Sequence, residues 1–197
     1  MGKKVWAAAL MVLLTFPAGC GQDYSAAENT LFIEKSGRVV ETGVERLDQI
    51  YYSEDELKTF IEEEIASFDE GTVEETGFSV EEGVATLTLT YGNASSYNAF
   101  NKRTLYLGTV VKAEAAGYDL SGVNFLSAET GEVVGVEQIR EEPDRSVVIL
   151  AENTVVSVPG KVLYYSVGGE LVDKKQVRFS GYTDNDASVR LSYVIYK

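Results

Sequence analysis

Short segments in which apolar and polar residues alternate recur along most of this chain, and they limit its fold more than any other feature. In the clearest one, an apolar residue takes every second position from Ala85 to Tyr91, and threonine takes the positions between. Successive side chains of a strand point to opposite faces, so this pattern predicts a strand with one buried and one polar face. Residues 147–151 are continuously apolar, which is typical of a central strand. The strand candidates are 31–47 (two strands around a turn), 74–80, 84–91, 104–111, 132–139, 146–151, 154–158, 161–167, 175–180 and 188–196.

One segment has helical periodicity instead. Ser53 and Glu56 stand three residues apart, as in a capping box that begins a helix. The apolar residues that follow at helical spacing form one stripe: Leu57, Phe60, Ile61, Ile65 and Phe68. We predict one main amphipathic helix over about 54–69, with this stripe in the core. The expected fold class is therefore α+β, an antiparallel β-rich single domain.

The first 20 residues have the features of an export signal. Two lysines precede an uncharged apolar run, 5–16, which is shorter than the roughly 20 residues of a membrane-spanning helix. Pro17, Ala18, Gly19 and Cys20 follow, and small residues directly before a cysteine resemble the lipobox of bacterial lipoproteins. The resemblance implies that cleavage leaves Cys20 at the N-terminus with a diacylglycerol attached. Pro17 departs from that pattern, which prefers Leu three residues before the cysteine.

These features predict a domain organisation and a location. We expect a lipoprotein signal peptide over 1–19, the lipidated cysteine and a tether over 20–30, and an α+β domain over 31–197 that could be subdivided near 120. The lipid would anchor the protein to the outer face of the cytoplasmic membrane. The formal charge of -14 argues against nucleic acid as a partner, because few cations are present to replace the counterions of a phosphate backbone.

The composition also limits the chemistry. The chain contains no histidine and a single cysteine, and Trp6, Met1 and Met11 all lie within 1–19. Catalytic sites built from Ser-His-Asp or Cys-His are excluded, and zinc, copper and haem sites lose their usual ligands. Carboxylate, lysine, tyrosine, serine and threonine chemistry remains, together with oxygen ligation of Ca²⁺ or Mg²⁺. Apart from the expected lipid on Cys20, we predict no cofactor.

Two groups of residues are weak candidates for binding. Asp184, Asp186 and Ser188 offer oxygen donors at alternating positions, as a calcium loop does, but the residues favour an acidic turn between two strands. The adjacent pairs Tyr51-Tyr52 and Tyr164-Tyr165 are candidates for a sugar or peptide surface. Neighbouring residues of a strand face opposite ways, so each pair can place only one ring on a given face.

Three further segments resemble a known group of proteins. Residues 97–101 and 105–118, together with 156–161, are similar to small lipoproteins of Gram-positive, clostridial-type bacteria. That group has no assigned activity, so the resemblance implies only a lipid-anchored surface protein. We predict a non-catalytic binding or interaction module of the cell envelope with an envelope protein or glycan as partner. The alternatives are a carboxylate-dependent glycan hydrolase and an accessory subunit of an envelope transporter complex.

Overall fold

The computed structural model describes residues 23–47, 53–69, 71–182 and 190–197. Within these residues the chain is β-rich, with two sheets and four short helices, as the predicted α+β class requires. The helices are α1 (Glu54–Ala66), α2 (Ala94–Asn101), α3 (Val110–Ala115) and α4 (Val136–Arg140). The strands are β1 (Thr30–Ile33), β2 (Val39–Arg46), β3 (Val73–Glu81), β4 (Val84–Tyr91), β5 (Leu105–Thr109), β6 (Phe125–Ser127), β7 (Val133–Val134), β8 (Ser146–Leu150), β9 (Thr154–Ser157), β10 (Val162–Ser166), β11 (Gly169–Leu171), β12 (Gln176–Phe179) and β13 (Ser192–Tyr196).

The seven-stranded sheet has the strand order β11-β12-β9-β1-β2-β4-β3. Its long strands come from two hairpins that the sequence predicts. Glu82 and Gly83 join β3 to β4 and both have positive φ, at 51° and 77°, as a two-residue turn with the right-handed strand twist requires. β4 pairs with β2 along its whole length, from Val39 opposite Tyr91 to Arg46 opposite Val84. The apolar face of β4 therefore continues across the sheet.

One strand pair departs from the antiparallel prediction. Among the described strands, β1 and β9 run parallel, with Leu31 opposite Val156, whereas the other pairs are antiparallel. The strands before and after β9 belong to the other, six-stranded sheet, so the chain crosses between the sheets to place β9 beside β1. A crossover permits a parallel pairing, whereas a hairpin does not. The seven-stranded sheet thus contains strands from both sides of position 120.

The six-stranded sheet has the order β5-β8-β13-β10-β6-β7. β8 lies between β5 and β13, and its last four residues are buried, which confirms the central strand predicted from the apolar run. Val148 and Leu150 belong to a core cluster shared with the seven-stranded sheet, while Val147 and Ile149 belong to a second cluster. That second cluster includes Val110 and Ala113 of α3 and Ile139 of α4, so these helices cover the outer face of the six-stranded sheet.

Helix α1 begins where the sequence predicts and ends three residues early, and it packs less completely than predicted. The Ser53 hydroxyl accepts a hydrogen bond from the Glu56 amide at 3.3 Å, as an N-cap does. Only Ile61 is buried, at 6% exposure, whereas Phe60 is 59% exposed. The prediction that the whole stripe lies in the core is therefore wrong, because α1 contacts the far end of the seven-stranded sheet and leaves part of the stripe exposed.

Three local predictions are corrected. Residues 132–139 form the short strand β7 followed by α4 instead of one strand, and β6 and β11 are strands that the sequence pattern did not indicate. Pro159 and Gly160 predict a type II turn over 158–161, but Gly160 lacks the positive φ that this turn requires, and the segment connects β9 of one sheet to β10 of the other. Gly160 is needed there for close contact, since a Cβ atom at this position would lie 1.8 Å from the Lys197 carbonyl oxygen.

Candidate ligand-binding site

A groove of about 490 Å³ lies between α1 and the β2-β4-β3 end of the seven-stranded sheet. We call it the α1 groove. One side is the apolar face of β4, where Ala85, Leu87 and Leu89 alternate with threonines on the opposite face. Gly43 of β2 stands opposite Leu87, and because it has no side chain it leaves Leu87 uncovered. The strand alternation that builds the sheet thus also gives the groove its apolar side.

Helix α1 forms the other side of the α1 groove. Leu57, Phe60 and Ile61 line it, and Ile61 is the residue of the three that is buried. Phe60 presents a largely exposed ring next to this apolar volume. A large apolar side chain at the edge of an apolar cavity is the arrangement found around ligand sites more often than on an inert surface.

One end of the α1 groove is polar. Glu41 of β2 lines it, and its Oε2 atom accepts a hydrogen bond from the Tyr91 hydroxyl at 2.6 Å and another from the Asn101 side-chain amide at 3.2 Å. The same amide donates to the Tyr91 hydroxyl oxygen at 3.0 Å, so the three side chains form a closed triangle. These contacts fix the Glu41 carboxyl in one orientation.

The Oε1 atom of Glu41 has a different environment. Both hydrogen bonds above go to Oε2, and Oε1 has no hydrogen-bond donor among the residues that the structure describes. Two side-chain polar atoms of the described residues are fully buried without a hydrogen-bond partner, Thr109 Oγ1 and Arg145 Nε. Glu41 Oε1 is not among them. Among the described residues, Oε1 is therefore the Glu41 oxygen that is left to accept a further hydrogen bond.

A second acid lies behind the groove. Glu152, which follows β8, is buried at 8% exposure, and its Oε1 atom accepts a hydrogen bond from the Tyr97 hydroxyl at 2.7 Å. The rings of Tyr97 and Tyr91 are in edge-to-face contact, with centroids 5.1 Å apart. Glu152 does not line the α1 groove, so only one of the two carboxyls faces the open volume.

Burial changes the acidity of both glutamates. It raises the pKa of the Glu41 carboxyl, although the hydrogen bonds from Tyr91 and Asn101 and the charge of Arg103 act in the opposite direction. Burial raises the pKa of Glu152 to about 7, and the negative charge of Glu41 adds to this, against the hydrogen bond from Tyr97. Both tyrosines also have a raised pKa, mainly from burial, so they donate hydrogen bonds as neutral phenols.

The groove is acidic as well as apolar. Besides Glu41, the exposed side chains of Glu45 and Glu64 line it, and none of the described residues around it is lysine or arginine. Asn29 also lines it and accepts a hydrogen bond from the Val44 amide through its side-chain oxygen at 2.8 Å. The segment before β1 is therefore held against the sheet close to the groove.

The residues predicted from sequence do not lie in this groove. Tyr164 accepts a hydrogen bond from Gln138 on the outer side of the six-stranded sheet, whereas Tyr165 is buried between the sheets. The two rings therefore face opposite ways, as neighbours on a strand must. Tyr51, Tyr52, Asp184, Asp186, Ser188 and Cys20 lie outside the described residues. Within the described residues no group of three or more Asp, Glu, His or Cys side chains could hold a metal ion.

Sequence reasoning missed Glu41, Asn101 and Glu152. One signal was present for Glu41, which stands on the same strand face as the buried Val39 and so places an acid in a position that the alternation assigns to the core. Asn101 and Glu152 carry no comparable signal, because 60 and more positions separate Glu41 from them and only the fold brings them near.

Comparison with known proteins gave no match: no family model, no curated protein and no solved structure is similar to this chain. Among the described residues, no helix is both long enough and apolar enough to cross a bilayer.

Proposed function

We propose that this protein is a non-catalytic binding protein of the bacterial cell envelope that takes a compact apolar molecule in the α1 groove. The observation that carries the proposal is the groove itself, with an apolar sheet face on one side and the exposed Phe60 on the other. Its volume of about 490 Å³ lies within the 300–1,000 Å³ range of small-molecule sites. A few fixed polar groups at one end would orient the ligand, as is usual in such sites.

The placement of the acids favours binding over glycan hydrolysis. A glycosidase needs two carboxyls that flank one open volume where the sugar lies. Glu41, Glu45 and Glu64 line the groove, but Glu45 and Glu64 are exposed, and Glu152, the buried acid bonded to Tyr97, does not line it. The raised pKa of Glu152, about 7, would suit a general acid, but this carboxyl is buried and does not line the groove.

The anchor is a separate part of the proposal. We propose that Cys20 carries a diacylglycerol and holds the protein at the outer face of the cytoplasmic membrane. Asn29 lines the groove only nine positions after Cys20. Nine residues span at most about 30 Å, so the groove would stay close to the membrane surface. Mass spectrometry of the protein extracted from membranes tests this, and an unmodified Cys20 thiol would contradict it.

Binding in the groove is tested with an uncharged fluorescent probe, N-phenyl-1-naphthylamine, added to the full chain. An uncharged probe avoids repulsion by the acidic lining. The variant Gly43→Leu should fill the groove and weaken probe binding at least about tenfold, because the new side chain takes the space beside Leu87. Gly43 has no left-handed φ, so the backbone accepts a side chain there.

Two variants complete this experiment. Gly181→Leu is the matched control, since Gly181 also has no left-handed φ and no atom of the described residues lies within 4 Å of its Cβ position. Phe60→Ala should also weaken binding, because its ring borders the groove. Equal probe affinity in Gly43→Leu and the unsubstituted chain would overturn the proposal. Any binding by residues 1–19 is common to all variants and cancels in the comparison.

A further inference from the structure

We infer that the ligand of the α1 groove carries a protonated amine, which pairs with the Glu41 carboxylate while the apolar part of the ligand lies along β4. The inference rests on the proposed function, because it assigns the chemistry of the ligand to the same groove. It predicts an amphiphilic organic cation as the class of ligand.

The geometry of Glu41 is the first reason. Tyr91 and Asn101 both bond to Oε2 and hold the carboxyl in place, while Oε1 has no donor within the described residues. A carboxylate oxygen that is already oriented loses little freedom when it accepts a further hydrogen bond. An ammonium group supplies such a donor, and charge-assisted hydrogen bonds of this kind are about twice as strong as neutral ones.

The charge of the groove is the second reason. Glu41, Glu45 and Glu64 line it, and the described lining residues include no lysine or arginine to balance them. Arg103 is exposed and does not line the groove, although its charge acts on both Glu41 and Glu152. An anionic ligand would be repelled by these carboxylates, and a neutral one would gain nothing from the negative charge of the groove.

The apolar surroundings of Glu41 favour an organic cation over a metal ion. Leu89 and Phe100 line the groove near the Glu41 end of the sheet, and neither supplies an oxygen ligand. Ca²⁺ requires six to eight oxygen ligands, and within the described residues no cluster of three or more acids is present. The aromatic rings of Phe60, Phe78 and Phe100, which also line the groove, attract organic cations.

Pairing with an amine should change the protonation of Glu41. The groups that act on its carboxyl are Tyr91 of β4, Asn101 at the end of α2, Arg103 after it and Glu152 behind it, with Glu45 and Glu64 on the groove surface. Burial holds the pKa of Glu41 above its ordinary value. A bound ammonium favours the ionised form and lowers that pKa again, so amine binding at a pH where Glu41 is partly protonated should release protons.

The experiment compares nonylamine with 1-nonanol, which share one alkyl chain and differ in the terminal group. Isothermal titration calorimetry is done on the full chain at about pH 8, where an alkylamine is still protonated. We expect the amine to bind at least about tenfold more tightly than the alcohol. Glu41→Gln should remove this preference and leave the affinity for the alcohol within about twofold. Glu129→Gln, an exposed acid far from the groove, is the matched control.

The outcomes separate the inference from the proposed function. If both probes bind with equal affinity and Gly43→Leu weakens both, the groove binds ligands and the amine inference is overturned. An amine preference that persists in Glu41→Gln also overturns it, since the preference would then come from the acidic surface in general. If neither probe binds, the proposed function fails together with the inference.

A second measurement does not depend on how Glu41→Gln folds. Titration of nonylamine into the unsubstituted chain at several pH values from about 4 to 8, in two buffers of different ionisation enthalpy, gives the number of protons released. We expect release with the amine in the range where Glu41 is partly protonated, and none with the alcohol. The absence of proton release at every pH with a tightly bound amine would show that Glu41 is not its partner.

Discussion

Glu152 shows how one residue can set the pH dependence of the whole fold. Its carboxyl is buried beside a second acid, Glu41, and burial raises its pKa to about 7 from an ordinary value near 4.5. The folded state therefore binds this proton more tightly than the unfolded chain does. The stabilising contribution of Glu152 is complete below pH 4.5 and is lost as the pH rises to about 7.

We expect Glu152→Gln to raise the free energy of unfolding at about pH 8 by up to roughly 3 kcal/mol, because the amide carries no charge to bury. This advantage should shrink on acidification and vanish well below pH 4.5, where Glu152 is protonated in both states. Urea unfolding across this range measures it, with Glu129→Gln as the exposed control. Parallel pH profiles for Glu152→Gln and the unsubstituted chain would contradict the argument.

The Tyr97 hydroxyl should matter most when Glu152 is ionised. Tyr97→Phe removes the 2.7 Å hydrogen bond and leaves the buried carboxyl without that donor, which should cost about 1–3 kcal/mol at pH 8 and less at pH 5. The matched control is Tyr106→Phe, since the Tyr106 hydroxyl has no hydrogen bond within the described residues. A loss that is equal at both pH values would show that Tyr97 acts through packing alone.

At the scale of elements, part of the apolar stripe of α1 is packed against the protein and part of it is exposed. Its N-cap and spacing predict the helix well, but spacing cannot show how much of a stripe has a partner to pack against. The six-stranded sheet shares a core with the central strands of the seven-stranded sheet, whereas α1 lies at the β3 end of the seven-stranded sheet. Part of the apolar stripe is consequently left to line the α1 groove.

Neighbouring residues of α1 should therefore respond differently to truncation. Ile61→Ala should lower the free energy of unfolding by about 2–4 kcal/mol, because Ile61 is buried. Phe60→Ala should change it by only about 0.5 kcal/mol, since the ring is 59% exposed, while it weakens binding of the fluorescent probe. Urea unfolding and probe titration of both variants check this. A large stability loss in Phe60→Ala would mean that the ring is part of the core.

At the scale of the whole molecule, a crossover links the two sheets, and contacts between distant parts of the chain hold each sheet together. Residues 158–161 lead from β9 in one sheet to β10 in the other, and the Lys161 amide and carbonyl both pair with Lys197 at 2.9 and 3.1 Å. Arg178 of β12 also binds Glu28 ahead of β1, with 2.6 Å between Nη2 and Oε1. Contacts between distant parts of the chain thus hold the sheets in place.

Gly160→Ala should destabilise the protein by about 1–3 kcal/mol, because its Cβ would overlap the Lys197 carbonyl and force the end of β13 to move. Gly181→Ala is the matched control and should change the free energy of unfolding very little, as no atom lies within 4 Å of its Cβ position. Urea unfolding gives the size of the effect, and hydrogen exchange locates it. Unchanged protection of the Lys197 and Lys161 amides would contradict this role of Gly160.

The sequence by itself determined the local elements of this protein. Local contacts, between residues a few positions apart, determine three features: the alternation on β4, the turn at Glu82 and Gly83 and the cap at Ser53. Such contacts can be predicted from the sequence alone. The same local reasoning misread 132–139, because a two-residue strand and a one-turn helix are too short to have a period of their own.

The tertiary structure alone decided the strand order, the parallel β1-β9 pair and the candidate site. Glu41, Asn101 and Glu152 meet only because β2, α2 and the end of β8 converge at one edge of the core. Their altered acidity comes from burial, which depends on everything packed around them and has no local signature. The groove, likewise, exists because α1 spans a part of the sheet that nothing else among the described elements fills.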